Sequence, residues 1–560
     1  MSNVSRLLRV VLVCALLWQS VGAGVGVGIA VGGGPGPDAD AGAGVGLAAA
    51  AGDDGGPAVV GAHPNPVAAD DAGEYVAVRV AGAANLTLSD GEDTVRVPRR
   101  GGVVALSSDP NATRAVTDRP VVRADLSLSN AGERLVLRQG EVVLHRVEYG
   151  NAPEGERWNA SADRWMPVGL DLRDPVATGS ADATAFVLPD APGVAVETLR
   201  SADERLFLAG YTLSSDRVAE ALLAAHRRGV RVRVLVEGSP VGGASRAQAA
   251  TLDRLVAAGV PVAVVSGPRA KFSYHHAKYA VVDDRSLVLT ENWKPSGTGG
   301  RDSRGWGVRV ASERTADELA AVFAADATGR GVVPWDEFRQ GREFVDDAPA
   351  TAAYPARLPP ESVRATEVRV LTTPGNAGQT VIERIDGAEE RISVVNPRID
   401  PEGRFFAALV RAARRGVSVR LLLSNAWYDA EENEAAVARA DELRESGLPI
   451  EARIADPRGR FGKVHAKGAV VDGEVALVGS LNWNDHAATE NREVVLELRG
   501  DEPADYYRRA FDADWGAAGG GVGSGLGGAD RTTWLLVAGA LASAVLAGLI
   551  LKKTVRFERR

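Results

Sequence analysis

Two of the chain's seven histidines stand in a pattern that suits chemistry on phosphate. His276-Ala277-Lys278-Tyr279-Ala280-Val281-Val282-Asp283 recurs further along as His465-Ala466-Lys467-Gly468-Ala469-Val470-Val471-Asp472. In an extended segment residues two apart project from one face, so each His and Lys pair can address a single ligand. The imidazole then serves as nucleophile or proton carrier, and the ammonium neutralises an anionic oxygen. Asp283 and Asp472, five residues beyond the lysines, are read as orienting backbone and neighbours rather than touching substrate.

Each copy is followed by a hydroxyl and an amide able to hydrogen-bond phosphate oxygens. The second has Gly479-Ser480-Leu481-Asn482; the first has Thr290-Glu291-Asn292, without the glycine and in a run one residue shorter. Thr290, Asn292, Ser480 and Asn482 are therefore candidate phosphate-binding or supporting residues. Glu493, in Asn491-Arg492-Glu493, is expected to accept the proton on the far nitrogen of His465, fixing its tautomer and raising its basicity. The matching stretch Ser303-Arg304-Gly305-Trp306-Gly307 has no carboxylate; Asp302 is either a stand-in or a surface aspartate. His63, His145, His226 and His486 are read as satisfied core or surface residues, and His275 as a spare neighbour with its side chain turned the other way. No histidine or carboxylate cluster with ligand spacing accompanies the motif, so neither metal nor cofactor is expected.

The elements that carry these residues are themselves repeated. Arg205 to Gly210 reads as a strand, Arg217 to Arg228 as an amphipathic helix stopped by Gly229, and Val230 to Val236 as a strand. Arg391 to Asn396, Phe405 to Arg415 with Gly416, and Val417 to Leu423 spell the same unit. Two halves of one α/β domain are implied, 170–335 and 361–515, with a Pro/Ala-rich linker at 336–360. The loop Lys294-Pro295-Ser296-Gly297-Thr298-Gly299-Gly300 is either a lid over a small head group or an idle surface loop.

Before these halves, from Tyr75 to Tyr149, short alternating runs separated by turn signals predict a small β-sandwich within 57–169. Its runs include Tyr75 to Val80, Asn85 to Leu88, Leu126 to Leu128, Leu135 to Leu137 and Val142 to Val147. The order His63-Pro64-Asn65-Pro66, Gly73-Glu74-Tyr75-Val76, Leu86-Thr87-Leu88-Ser89-Asp90-Gly91 resembles the lamin-tail domain, an immunoglobulin-like module.

The ends address the chain to a membrane. Residues 1–23 have the basic start, short apolar run and small-residue site of a signal peptide, and 24–56 a Gly/Ala-rich linker. Beyond a Gly-rich linker at 516–531, residues 532–551 include the uncharged run Trp534 to Leu551, read as one transmembrane helix, and the basic tail 552–560 places the bulk of the chain outside the cell. Lys and Arg total 64 against 73 Asp and Glu, a net charge of −9, so nucleic acid would need a local basic groove. The single cysteine, Cys14, lies in the signal, which excludes disulfide scaffolds and cysteine catalysis from the mature chain.

The paired His-x-Lys-x4-Asp motifs and the trailing Gly-Ser-x-Asn resemble the phospholipase D superfamily over about Phe186 to Asp514. That resemblance implies a two-fold repeated α/β/α sandwich whose halves share one active site, so that no dimer is required. It also implies a phosphohistidine intermediate, with His276 the nucleophile and the other histidine protonating the leaving alcohol. Glu493, by contrast, would make His465 the more basic imidazole. The expectation is a membrane-anchored extracytoplasmic phosphodiesterase, hydrolase or transphosphatidylase, acting on phospholipid-type phosphodiesters. An extracellular metal-independent endonuclease on the same scaffold is the second reading, and a non-catalytic phosphate-binding protein the third.

Overall fold

A computed structural model describes residues 55–170, 172–347 and 350–518. The expected signal peptide with Cys14, most of the Gly/Ala-rich linker, the run Trp534 to Leu551 and the basic tail lie outside the described residues. Among those described, no helix is long and apolar enough to cross a membrane.

Residues 58–167 form two sheets facing each other. A six-stranded sheet is built around the antiparallel pair Ala58–His63 and Tyr75–Arg79, and a four-stranded one around Leu86–Ser89 and Glu133–Gln139. Alternation in these strands sends Val76, Val78, Leu86, Leu88, Leu135 and Leu137 into one core. Leu126-Ser127-Leu128, read as a strand, is not one: both leucines are buried, but the Leu128 N–H donates to Glu74 Oε2 at 3.0 Å instead of to a strand neighbour. Strands at Val103–Ser107, Val121–Arg123, Glu156–Asn159 and Arg164–Pro167 complete the larger sheet.

From Val176 onward one large mixed sheet runs through both halves. The first half contributes β1 (Val176–Leu188), β2 (Arg205–Gly210), β3 (Arg231–Glu237), β4 (Val262–Val265), β5 (Tyr279–Val282), β6 (Arg285–Leu289), β7 (Ser303–Ala311) and β8 (Val332–Pro334). The second contributes β9 (Glu361–Thr373), β10 (Arg391–Asn396), β11 (Ser418–Leu423), β12 (Ile450–Ile454), β13 (Lys463–Val464), β14 (Gly468–Val471), β15 (Val475–Gly479) and β16 (Glu493–Arg499). Their order, β8-β4-β3-β2-β5-β6-β7-β1-β9-β16-β15-β14-β10-β11-β12, reads nearly the same outward in either direction from the antiparallel β1–β9 pair, with β13 beside β7. This is a duplicated unit related by an approximate two-fold axis.

The helices follow the apolar periodicity. In α1 (Gly193–Arg200), α2 (Asp216–Arg227) and α3 (Arg246–Ala257), residues such as Val218, Ala221, Leu222 and Ala225 make one buried stripe against the first half's sheet. Gly229, at φ +92°, ends the α2 turn, a conformation that a side chain would strain. In the second half α5 (Ala377–Asp386), α6 (Arg404–Arg414) and α7 (Ala430–Glu445) do the same. Helices α4 (Glu313–Asp326) and α8 (Asp501–Ala518) instead join the central core, where Trp306 and Val308 of one half meet Val478, Leu496 and Tyr507 of the other. The helix α8 continues past residue 515, where a linker was expected to begin.

Two buried ion pairs cross between the halves. Arg304 at the start of β7 binds Asp514 of α8, Nε to Oδ2 at 2.9 Å, and donates to the Leu188 carbonyl. Arg492, just before β16, binds Asp326 of α4 at 3.0 Å and donates to the Thr373 carbonyl. Each half thus anchors the other's central helix. His275, expected as an idle neighbour, is fully buried with Nε2 3.3 Å from the same Asp326.

Candidate active site

The same crossing builds the site. The His276 backbone N–H donates to the Arg492 carbonyl at 2.9 Å, and the His465 N–H donates to the Arg304 carbonyl at 2.9 Å. Each motif histidine is therefore pinned beside the residue that follows the opposite half's arginine. For His276 that residue is Glu493, and Nδ1 lies 2.8 Å from both carboxylate oxygens. The expectation that Glu493 serves His465 is corrected: strand pairing across the two-fold axis, not nearness in sequence, chooses its partner.

For His465 the corresponding position is Gly305, which has no side chain. Glu291 fills the gap from the neighbouring turn, with Oε2 3.2 Å from His465 Nδ1, longer and less well aligned than the other pair. A Cβ at Gly305 would lie 2.2 Å from Glu291 Cγ, so the glycine is the space the glutamate occupies. Asp302, the proposed stand-in, sits 3.8 Å from Lys463 Nζ. Glu291 was visible in the sequence, but nothing in its spacing marked it, since the second half has Leu481 at the equivalent place.

The shortened run in the first half leaves the site unaltered. Val282 pairs with Arg285 across a two-residue turn, whereas Val471 pairs with Val475 across three. The missing residue is thus in the hairpin tip, while Thr290 and Ser480 keep matching places. Each hydroxyl accepts from the adjoining strand at 3.0 Å, Thr290 from Trp306 N–H and Ser480 from Val494 N–H, and both residues are fully buried. Their geometry is that of turn supports, not of free donors to a ligand. Asn292 and Asn482 remain partly accessible.

Asp283 and Asp472 face away from any ligand. The Asp283 carboxylate accepts from the N–H groups of Asp203, Glu204 and Arg205 at 2.8–2.9 Å. Asp472 accepts from Glu389, Glu390 and Arg391 at 2.8–2.9 Å. They tie the hairpin tips to the starts of β2 and β10.

Lys278 and Lys467 turn their ammonium groups back to the carbonyls of His276 and His465. Burial pulls Lys467 down to about 7, against the pull of Glu291 and Glu493, and drives Lys278 well below its ordinary value. An arriving phosphate anion would restore both charges. Tyr211, which the sequence reading missed, packs edge-on to His276 at 4.7 Å between ring centres and lies under Lys278. It stands at the end of β2, where the second half has Pro397, so the repeat gives no signal for it.

The two imidazoles differ electrostatically. Burial lowers His276 to about 4, with Lys278 adding to the effect against the opposing pull of Glu493. Burial works to raise Glu493, yet His276 and Lys278 hold its carboxyl below the usual value. That combination is a neutral His276 donating Nδ1–H to a carboxylate, with the Nε2 lone pair free. At the other pair burial raises Glu291 to about 7, while burial and both lysines push His465 well down, so of the two Glu291 is the group that holds a proton near neutrality.

A cavity of about 370 Å³ opens onto His465, Glu291, Asn292, Lys294, Tyr428 and Lys463. The Lys294 to Gly300 loop forms one wall of it. The Gly297, Thr298, Gly299 and Gly300 N–H groups all bond within residues 292–297, and Thr298 is fully buried.

A family model described as cardiolipin synthase, PLD-like domain, matches residues 195–327 and again 381–515. Cardiolipin synthase A of Yersinia pestis bv. Antiqua (strain Angola) is 25% identical over 297 residues, 51% of this chain and 58% of that one. The same figures hold for cardiolipin synthase A of Yersinia pseudotuberculosis serotype O:1b, so the chain spans 58% of the length of these curated relatives. Among solved structures, phosphatidylserine synthase of Haemophilus influenzae Rd KW20 aligns with 58% of this chain and 84% of its own at 13% identity and TM-score 0.45. The phospholipase D family member Nuc of Salmonella typhimurium aligns with 31% of this chain and all of its own at 19% identity and TM-score 0.23. The lamin-tail resemblance of the β-sandwich finds no counterpart among these matches. With two matched repeats that coincide with the two structural halves, this chain carries a duplicated phospholipase D-like domain.

Proposed function

We propose that the protein is a membrane-anchored, extracytoplasmic phosphodiesterase that cleaves phospholipid-type phosphodiesters through a covalent phosphohistidine. The observation that carries this reading is the pair of histidines held across one two-fold axis, each with its own carboxylate, above two buried lysines. His276 Nε2 attacks phosphorus and forms the P–N bond, while His465 gives its proton to the departing alcohol oxygen. Lys278, Lys467, Asn292 and Asn482 stabilise the charge on the phosphoryl oxygens. His465 then takes a proton from water or from a second alcohol, whose oxygen displaces His276. Water gives hydrolysis and an alcohol gives head-group transfer. The name of the cardiolipin synthase A relatives favours a lipid phosphodiester over a polynucleotide.

Incubation of the full chain with phospholipid vesicles and, separately, with single-stranded DNA at matched phosphate tests the substrate class. Lipid cleavage that persists in EDTA is expected. Cleavage of DNA with intact lipid would give the site to the endonuclease reading, and no cleavage of either would favour the binding protein. The anchor rests on Trp534 to Leu551, and protease added to intact cells should remove all but the C-terminal segment; protection of the whole chain would overturn that topology.

A further inference from the structure

Half of the large apolar side chains exposed among the described residues gather at one place. Val241, Val345, Trp427 and Tyr428 are 79%, 45%, 86% and 53% exposed, and Val241, Val345 and Tyr428 line the mouth of the catalytic cavity. Trp427 packs edge-on to Tyr428, with ring centres 5.7 Å apart, and extends the rim outward. The two lips are related by the duplication. Val241 follows β3 and Tyr428 follows β11, at the same distance along the chain from the matching strand starts Arg231 and Ser418. Leaving so much apolar surface in water at both lips of one opening is unfavourable unless something covers it.

We propose that these lips dock on the surface of a phospholipid bilayer, with Trp427 and Tyr428 at head-group depth, so that a lipid phosphodiester enters the cavity between them. This rests on the lipid reading of the site and deepens it. Three observations select a bilayer. The apolar groups flank the opening on both sides, so a surface that covers them also presents its phosphates to His465. Tryptophan and tyrosine are the side chains that settle at a membrane interface, with an apolar body and a polar edge. Two of the cations near the rim are partnered, Arg246 with Asp346 at 2.8 Å, and Lys463 with the Tyr428 hydroxyl at 2.9 Å and with Asp302, so besides Lys294 little open positive charge faces the opening. A strand of nucleic acid would instead need a track of open positive charge beside its stacking rings.

The full-length chain is reconstituted in vesicles of phosphatidylcholine with or without bromine on the acyl chains. Wild type is compared with Trp427→Phe, so that the difference spectrum isolates one of the ten tryptophans. Quenching of that difference emission by the brominated lipid, unchanged by raised salt, is the expected result. In parallel Trp427→Ser should slow cleavage of vesicle phospholipid by about tenfold, the loss of one interfacial anchor, and leave cleavage of soluble bis(p-nitrophenyl) phosphate unaltered. Difference emission indifferent to brominated lipid would overturn the proposal, as would quenching by single-stranded DNA alone. Equal loss on both substrates would overturn it too, because it would place Trp427 in the chemistry. If vesicle lipid is not cleaved at all while soluble phosphodiester is, the substrate reading fails, and the quenching alone still decides whether the lips meet the bilayer.

Discussion

Gly305 and Glu291 share one space: the missing side chain on β7 is the room in which Glu291 reaches His465. In the second half the same two places hold Glu493 and Leu481, so the carboxylate has moved from strand to turn in one half only. Glu291 is thus a positioning residue that acts through His465. Glu291→Gln should lower kcat by about 10- to 100-fold, the range for a partner that orients a functional imidazole. A Gly305→Glu change alone should misfold the turn, whereas Gly305→Glu with Glu291→Leu copies the second half and should recover most of the lost kcat. Failure of the double variant despite a native melting curve would disprove the exchange.

The two histidines are expected to serve different steps, His276 as nucleophile and His465 as carrier of the leaving group's proton. With a substrate whose leaving group needs no proton, such as a p-nitrophenyl ester, His465→Ala should still show a burst of one equivalent of nitrophenol and retain the phosphoryl group on His276 after denaturation in alkaline detergent, which spares the P–N bond. His276→Ala should show neither. Label trapped on His465 in the wild-type enzyme would reverse the assignment.

The pH profile follows from the same pair. His276 must be neutral to attack and is lowered to about 4, so the acid limb of kcat/KM lies there. The alkaline limb is expected near 7, where the buried Glu291 carboxyl loses its proton. Glu291→Gln removes the group that holds that proton, leaving His465, which burial, Lys467 and Lys278 lower, so the alkaline limb should move to lower pH. A limb that moves upward or stays in place would contradict this arrangement.

Asp283 belongs to the frame and not to the reaction. Its charge is satisfied by three backbone N–H groups and its φ is +54°, which asparagine tolerates. Asp283→Asn should therefore lower stability by about 1–2 kcal/mol through weakened charge-assisted bonds, read as a reduced Tm, with kcat per folded molecule unaltered.

The motif pair, the repeat and the strand and helix spans around it were readable because each depends on local periodicity or on identity between copies. Arg205–Gly210 and Arg391–Asn396 fall where the apolar pattern puts them. The partner of Glu493 was not readable, since the two-fold crossing brings residue 493 to residue 276 by strand pairing that no local pattern encodes. Glu291 and Tyr211 were hidden for a related reason: neither has a counterpart in the other half. Leu126 and Leu128 show the converse, an alternation of burial without a strand, because Glu74 takes up the backbone donor.

The crossed pairs Arg304–Asp514 and Arg492–Asp326 make the contact between halves self-complementary, with each side supplying one arginine and one aspartate. Two identical copies of a single repeat would close the same ring of bonds, as subunits of a symmetric dimer do. A dimer of that kind must change both of its sites at once, whereas one continuous polypeptide can alter either half by itself. The unequal placing of Glu291 and Glu493 is a difference that only the joined chain can carry, and it lets the carboxylate beside one histidine be kept protonated while its twin stays charged.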